Sequence, residues 1–186
     1  MFRKSIAVVV LFLWIFTGCA EKQTYDEQAL RFRTDLMKAQ ECSFKADITA
    51  DFGDRVYLFS VEARMNDTSA QIQVLSPEEI AGITATVAED GVSLAYDGVT
   101  LELGEMAQGR VSAMAACWVL YECWAGQYIA YSGRDGDLTR VTYLKGYEDA
   151  QLTVDTWFDH KGIPVYAEVL YDNVRCLSIE IEAFEF

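Results

Sequence analysis

Two stretches in the first half of the chain alternate between apolar and polar residues, and this pattern constrains the fold more than any other feature. Apolar side chains occupy every second position from Phe44 to Phe52, and residues 57–65 repeat the pattern after a short turn. Successive side chains of a β-strand point to opposite faces, so a period of two indicates a strand with one buried face. The sequence therefore predicts a pair of long antiparallel strands that covers one side of an apolar core.

Strand-like segments continue along most of the remaining sequence. The turns between them, such as Asn66-Asp67, Asp97-Gly98 and Asp172-Asn173, are typical of hairpins. The further segments that we predict as strands are 70–74, 83–87, 92–96, 99–103, 128–132, 139–145, 150–158, 163–172 and 174–186. With the first pair they make about ten or eleven strands.

Two segments have helical periodicity instead. Residues 24–40 open with a capping box, Thr24 followed by Glu27, and then carry apolar residues at helical spacing. Residues 109–125 are apolar nearly all round, and Gly126 can end this second helix. A helix without a polar face is buried or covers something apolar.

The pattern predicts one mainly β domain of the α+β class. No linker, repeat or low-complexity segment interrupts the chain. A long antiparallel meander usually curls to protect its edges, as a barrel, a half-barrel or a strongly coiled sheet.

The first twenty residues have the order of a secretory signal. Arg3 and Lys4 precede an apolar run from Ile6 to Phe16, and the small residues Thr17-Gly18 follow. The next residue is Cys19, and Phe16-Thr17-Gly18-Cys19 resembles the bacterial lipobox, in which a cysteine is acylated before cleavage.

We therefore predict a lipoprotein signal peptide at residues 1–18 and a mature domain at 19–186, lipid-anchored through Cys19 on the extracytoplasmic face of the cell membrane. Two or more acyl chains on one residue anchor a protein stably, whereas a single chain binds membranes only marginally. The alternatives are an ordinary signal peptide with an incidental cysteine, or an uncleaved anchor.

The charge of the predicted mature chain excludes several partners. Of 15 basic residues, Arg3 and Lys4 leave with the signal, so 13 basic residues face 29 acidic ones and the net charge is 13 − 29 = −16. Such a surface repels nucleic acid and anionic lipid headgroups. Covalent lipid is therefore the expected means of membrane attachment.

The sequence offers little for catalysis. Its one histidine, His160, lies in the predicted turn 159–162, where nothing holds it against a nucleophile. The carboxylate pairs Glu78-Glu79 and Glu89-Asp90 are not singled out among many acids, and Gly-rich phosphate loops and metal-ligand spacings are absent. We expect no catalytic residue, no metal site, no cofactor and no enzymatic activity.

Four cysteines lie beyond Cys19: Cys42, Cys117, Cys123 and Cys176. Cys42 and Cys176 fall in predicted strands and could form a disulfide if those strands are neighbours. The alternative is that all four are buried free thiols that act as small hydrophobic residues.

The positive signal for function is apolar. Bulky and polarisable side chains concentrate on the second helix, and the strands offer apolar residues to face them. The residues that we predict to line a ligand cavity are Phe44, Ile48, Phe59, Val61, Met114, Trp118, Tyr121 and Trp124. The alternative is a filled core, because periodicity does not separate a core from a cavity.

Three segments together resemble a known family. A Pro-Glu turn precedes a Gly-led strand within 74–83, a Pro-containing strand follows the turn at 159–162, and the last strand ends in Phe184. These features are similar to the LolA/LolB-like lipoprotein-carrier superfamily, and to lipoproteins of spore-forming, low-GC Gram-positive bacteria. The resemblance implies a curved antiparallel half-barrel closed by helices around a hydrophobic cavity, and binding without catalysis.

These observations support two main hypotheses. The first is a membrane-anchored lipoprotein that binds a lipid, an acyl chain or a lipoprotein in a half-barrel cavity. The alternative is a tethered protein-binding module with a filled core that regulates a cell-envelope or spore-cortex enzyme. It predicts an exposed apolar patch or an unpaired edge strand. A more distant hypothesis, an envelope hydrolase, predicts two carboxyl groups converging in a cleft.

Overall fold

The computed structural model describes residues 19–88, 91–95, 105–106 and 111–186. This part of the chain contains helices α1 (Cys19–Ala39) and α2 (Ala116–Gly126) and short 3₁₀ helices at Ala113–Ala115 and Glu148–Ala150. Its strands are β1 (Glu41–Asp51), β2 (Val56–Asn66), β3 (Ser69–Ser76), β4 (Thr84–Ala88), β5 (Gly91–Ala95), β6 (Glu105–Met106), β7 (Val111–Ser112), β8 (Tyr128–Asp135), β9 (Leu138–Lys145), β10 (Leu152–Phe158), β11 (Pro164–Tyr171) and β12 (Val174–Glu185).

Ten of these strands form one open, curved, antiparallel sheet. Their order is β5-β4-β3-β2-β1-β12-β11-β10-β9-β8, and β6 and β7 pair separately. The last strand, β12, returns to pair with β1, so two hairpin-connected halves meet at the centre of the sheet. The predicted half-barrel with about ten strands and two helices is confirmed. The predicted strand 99–103 lies outside the described residues.

The alternation in the sequence gives the sheet one apolar face. On β1, the side chains of Cys42, Phe44, Ala46, Ile48 and Ala50 are buried, while the intervening residues are exposed or half-buried. Strand β2 repeats this from Phe59 to Met65. The buried faces line the concave side, against which both helices pack.

A bulge between β1 and β12 changes which residues face inward at the end of the chain. Lys45 pairs with Glu182, but Ser43 pairs with Glu185, so β12 carries one extra residue, and Ala183 has a φ of 49°. A bulge reverses the alternation beyond it. Phe184 therefore faces the core and stacks on Phe44, with ring centroids 6.1 Å apart.

Helix α1 crosses one end of the concave face. The Gln28 side chain donates to the carbonyl oxygen of Asp159 (3.1 Å) and accepts from the Thr139 hydroxyl (2.9 Å). Phe32, one turn further along, packs edge-on against Phe158, with centroids 5.0 Å apart. The helix begins at Cys19, five residues before the predicted start at Thr24, so the capping-box prediction is wrong: Thr24 lies inside the helix.

Helix α2 is held inside the half-barrel by Arg33 of α1. The Arg33 guanidinium donates to the carbonyl oxygens of Trp124 (2.8 Å), Cys123 (3.2 Å) and Gln127 (2.7 Å). The last carbonyls of a helix have no partner within it, and a cation there also complements the helix dipole. Arg33 therefore joins the two helices and satisfies the C-terminal end of α2.

The predicted bounds of the second helix are partly wrong. Residues 109–125 were expected to be helical, but β7 ends at Ser112, a 3₁₀ turn follows, and α2 starts at Ala116. Strand pairing between Met106 and Val111 starts the segment as a hairpin, a tertiary feature that helical periodicity does not show. The expected burial is confirmed, since eight of the eleven residues of α2 are buried.

Trp124 of α2 is the centre of the core. Its indole N–H donates to the Thr156 hydroxyl at 3.0 Å, and its ring contacts three aromatic rings. These are Phe32, Phe44 and Phe184, with centroids 5.6, 5.8 and 5.9 Å away. The middle of the half-barrel is therefore filled by aromatic packing.

We expect Trp124→Ala to lower the free energy of unfolding by about 3–5 kcal/mol, because it leaves a large cavity in the core. Trp124→Phe keeps most of the packing but loses the bond to Thr156, so its effect should be smaller. Urea unfolding followed by circular dichroism measures both. As a control, Tyr147→Ala removes an aromatic ring that is 86% exposed, and should change stability by no more than about 0.5 kcal/mol. Equal losses at the two positions would contradict this account of the core.

Candidate functional site

An apolar cleft with a volume of about 440 Å³ opens where β1 ends and β2 begins. It lies between the β1–β2 hairpin, the segment after β3 and the 3₁₀ turn before α2. The described residues that line it are Phe52, Asp54, Arg55, Tyr57, Leu58, Phe59, Val74, Pro77, Ile80, Ile83, Ala113 and Met114.

The β1–β2 hairpin forms one wall. The Phe52 N–H donates to the Arg55 carbonyl oxygen (2.8 Å), and the Gly53 N–H donates to Asp51 Oδ1 (2.7 Å). Gly53 has a φ of 87°, a conformation that favours glycine. The turn brings the rings of Phe52 and Tyr57 together edge-to-face, with centroids 5.5 Å apart.

The segment between β3 and β4 forms the opposite wall. The Ser76–Pro77 peptide bond is cis, and the Ile80 N–H donates to the Pro77 carbonyl oxygen at 3.1 Å. The Gly82 N–H then donates to the Val74 carbonyl oxygen at 2.9 Å. These bonds fold the chain back on β3, so that Ile80 and Ile83 line the cleft.

The chemistry of the lining is apolar. Among the described residues of the lining, only Asp54 and Arg55 carry charge, and both are exposed at the mouth, where Arg55 Nε lies 3.7 Å from Asp54 Oδ2. Apolar walls without converging polar groups bind by burying apolar surface. The geometry therefore suits the apolar part of a ligand and does not provide an acid–base pair.

The eight predicted cavity residues divide into two sets. Phe59 and Met114 line the cleft. The other six are buried elsewhere in the core. Trp118 and Tyr121 stack on each other, with ring centroids 5.5 Å apart. Phe44 and Trp124 belong to the central aromatic cluster, and Ile48 and Val61 lie on the concave face of β1 and β2. The structure thus places the opening at one end of the half-barrel, away from most of α2.

Most of the lining was not predicted from the sequence. Phe52 and Tyr57 flank a turn, and Ile80 lies in a segment that interrupts the strands. An apolar residue in a turn is a weak signal for a site, because turns are usually polar and exposed. In this chain, two turns with apolar residues meet across neighbouring strands, and the sequence alone does not show that proximity.

The candidate catalytic groups are not brought together. His160 is exposed in the turn between β10 and β11, and Glu78 and Glu79 are exposed in the segment between β3 and β4. Glu89-Asp90 lie outside the described residues. Within the described part of the chain, no three His, Cys, Asp or Glu side chains cluster as metal ligands.

Among the described residues, one carboxylate is buried, and it lies on the outer face of the sheet. Asp155 is 2% exposed. Its carboxylate accepts one hydrogen bond from Arg140 Nη2 at 2.6 Å and another from the Thr142 hydroxyl at 2.5 Å. The bond to Asp155 raises the pKa of the Arg140 guanidinium, whose plane lies over Trp157 at 5.3 Å. Because this carboxylate is fully paired and far from the cleft residues, it belongs to a structural network on the sheet surface.

The four cysteines are buried free thiols. β1 and β12 are neighbours, but Ala50 pairs with Leu177, which places Cys176 about nine residues along β1 from Cys42. That separation is roughly 30 Å at about 3.3 Å per residue, whereas a disulfide needs Cα atoms within about 7 Å. The disulfide alternative is therefore wrong, for reasons of register.

Burial raises the pKa of the thiols of Cys42, Cys117 and Cys123 to about 12, and raises that of Cys176 as well. Since the thiolate is the reactive form, we expect residues 20–186 to react slowly with Ellman's reagent at pH 8. Unfolding in guanidinium chloride should expose all four thiols at once. Rapid labelling of the folded protein, or fewer than four thiols after unfolding, would contradict this.

The predicted anchor lies at the border of the described residues. Residues 1–18 are outside them, and Cys19 is the first residue of α1. Among the helices that the structure describes, none combines the length and apolar character needed to cross a membrane.

Comparison with known proteins gives matches in structure alone. No protein-family model matches the chain, and no curated protein does. A DUF1329 family protein from Desulfovibrio piger is 8% identical, with a TM-score of 0.47 over 89% of this chain and 93% of that one. A LolA superfamily protein from Nitrosomonas europaea is 9% identical, with a TM-score of 0.47 over 90% of this chain and 94% of that one.

A third match is the structure of the CwlD amidase from Clostridioides difficile in complex with the GerS lipoprotein. The matched chain of that structure is 12% identical to this chain, with a TM-score of 0.40 over 87% of this chain and 95% of the matched one. At these identities and TM-scores, the matches carry no argument about function.

Proposed function

We propose that the protein is a membrane-anchored lipoprotein that binds the apolar part of a lipid, an acyl chain or an acylated peptide in the cleft beside the β1–β2 hairpin. The observation that carries this proposal is the cleft itself, whose described lining is apolar apart from Asp54 and Arg55 at the mouth. Its volume of about 440 Å³ falls within the range of about 300–1,000 Å³ that is usual for small-molecule sites. The filled centre of the half-barrel limits the ligand to one end.

The walls also favour binding over catalysis, and we propose that the protein is not an enzyme. Apolar side chains stabilise a bound hydrocarbon by about 25 cal/mol per Å² of apolar surface removed from water. General acid–base catalysis needs a titratable group within hydrogen-bond reach of the substrate. At the mouth, Asp54 and Arg55 are paired and exposed, which suits contact with a polar headgroup.

Ligand binding can be tested by filling the cleft. Ile80 lies at its wall on a half-buried turn, so Ile80→Trp should occupy the space with little effect on the core. We expect the variant to bind cis-parinaric acid, a fluorescent fatty acid, at least ten-fold more weakly than the unmodified protein. Native mass spectrometry, before and after extraction with organic solvent, would identify any co-purifying lipid.

Ile129→Trp provides the matched control. Ile129 is also half-buried but lies on β8, beside a different depression, so the same substitution there should leave fatty-acid binding unchanged. Equal losses in the two variants would show that the effect is not local to the cleft. A protein that takes up neither fatty acid nor phospholipid would overturn the proposal.

Anchoring can be tested separately at Cys19. We expect Cys19→Ser to move the protein from the membrane fraction to the soluble fraction and to prevent the mass increase that acylation gives. Cys176→Ser, which changes a buried thiol of the domain, is the control and should leave the protein in the membrane fraction. A Cys19→Ser protein that is still acylated and membrane-bound would contradict lipidation at Cys19.

The alternative function, a tethered protein-binding module, is favoured by a different observation. The centre of the half-barrel is filled around Trp124, and four large apolar side chains are exposed beside the cleft. The two functions are compatible, because two of these side chains, Val56 and Leu75, do not line the cleft.

A further inference from the structure

On β2 and β3, four exposed apolar residues lie at the end of the sheet where the cleft opens. Val56, Tyr57 and Leu58 of β2 are 54%, 48% and 69% exposed, and Leu75 of the neighbouring strand β3 is 40% exposed. Tyr57 lies on the side of the cleft, which it lines, and we call the other three residues, Val56, Leu58 and Leu75, the apolar patch. A contiguous apolar surface on a folded domain commonly marks an interaction site.

Strand geometry explains why the patch faces solvent. Phe59 and Val74 are buried on the concave face, and the side chains of Leu58 and Leu75, one residue away on each strand, point to the outer face. Val56 shares the side of Leu58. The apolar patch therefore continues outward from the mouth of the cleft. Val56 and Leu75 do not line the cleft itself.

The border of the patch is acidic. Asp51 and Asp54 belong to the β1–β2 hairpin, and Glu78 and Glu79 follow β3, all with exposed side chains. Arg55 is the basic residue among them, and it pairs with Asp54. Four carboxylates against one guanidinium repel anionic lipid headgroups and attract a positively charged partner.

The position of the predicted anchor gives a second reason to favour a protein over a bilayer. The side chain of Asp26, near the start of α1, is hydrogen-bonded to Ser132 of β8. In the sheet order, β2 lies six strand positions from β8, about 29 Å along the curved sheet at about 4.8 Å per strand. α1 also contacts Asp159, at the strand ends opposite to the patch. A tether at Cys19 therefore attaches the domain far from the patch.

We propose that the apolar patch docks a basic, amphipathic segment of a partner protein. Its apolar side chains would cover Val56, Leu58 and Leu75, and its lysine or arginine residues would meet the surrounding carboxylates. This inference deepens the proposed function by placing a partner beside the mouth of the ligand cleft, but the docking itself does not require a bound ligand.

The test uses residues 19–186, which contain every described element of the fold, with Cys19→Ser to remove the acylation site. The probe is an 18-residue helical peptide with leucine along one face and lysine on the others. Fluorescence anisotropy should show binding that weakens at least ten-fold in the double variant Val56→Ser/Leu75→Ser. Glu78→Gln/Glu79→Gln should weaken binding several-fold and reduce its dependence on salt concentration.

Two controls separate docking from general attraction to an acidic protein. Tyr128→Ser/Tyr147→Ser removes two exposed aromatic side chains away from the patch and should leave binding unchanged. A peptide with glutamine in place of leucine, and one with glutamate in place of lysine, should each bind at least ten-fold more weakly. Binding of the leucine–lysine peptide that Val56→Ser/Leu75→Ser does not weaken would overturn the proposal.

The remaining outcomes distinguish this inference from the proposed function. Binding to phosphatidylglycerol or phosphatidylcholine vesicles that is lost in Val56→Ser/Leu75→Ser would identify a lipid surface as the occupant and overturn docking of a protein. Uptake of cis-parinaric acid should be unchanged in that variant, because neither residue lines the cleft. Peptide docking without any fatty-acid uptake would leave the inference standing while refuting the ligand function.

Discussion

A single curved sheet has one apolar face, and the structure depends on how that face is covered. Helix α2 provides most of the cover, because nearly all of its surface is apolar and Trp124 fits among Phe32, Phe44 and Phe184. A wholly apolar helix must be enclosed on both sides. The sheet encloses one side and α1 the other, where Arg33 bonds to the last carbonyls of α2. The two helices and the central strands therefore stabilise one another by packing.

This packing also explains why the opening is at one end. The aromatic cluster around Trp124 fills the middle of the half-barrel, and the bulge at Ala183 adds Phe184 to it. Near the start of β2, the concave face is covered by the 3₁₀ turn Ala113–Ala115 instead of by α2. The side chains of this turn are small or flexible. The remaining space is the cleft, bordered by two turns of the sheet. The site is therefore a consequence of where α2 begins.

The acidic surface has different consequences at the proposed membrane anchor and at the apolar patch. In the proposed function, covalent lipid at Cys19 provides the membrane attachment that the acidic surface, which repels anionic headgroups, does not provide. At the apolar patch, the same excess of carboxylates selects the charge of a partner, because Asp51, Glu78 and Glu79 surround apolar side chains that water solvates poorly. Binding through the cleft and docking beside it would then occur away from the tether.

The strands, the concave face and the two helices are predictable from the sequence, because they depend on periodicities of two and 3.6 residues that are local to each segment. Of the eight residues that the sequence predicts to line a cavity, Phe59 and Met114 line the cleft. The start of α2, the separation of Cys42 from Cys176 and the bulge that turns Phe184 inward were decided by tertiary structure, since each depends on how strands pair. The cleft itself was decided there too, because Phe52, Ile80 and Ile83 meet only when turns that are distant in sequence become neighbours across β2 and β3.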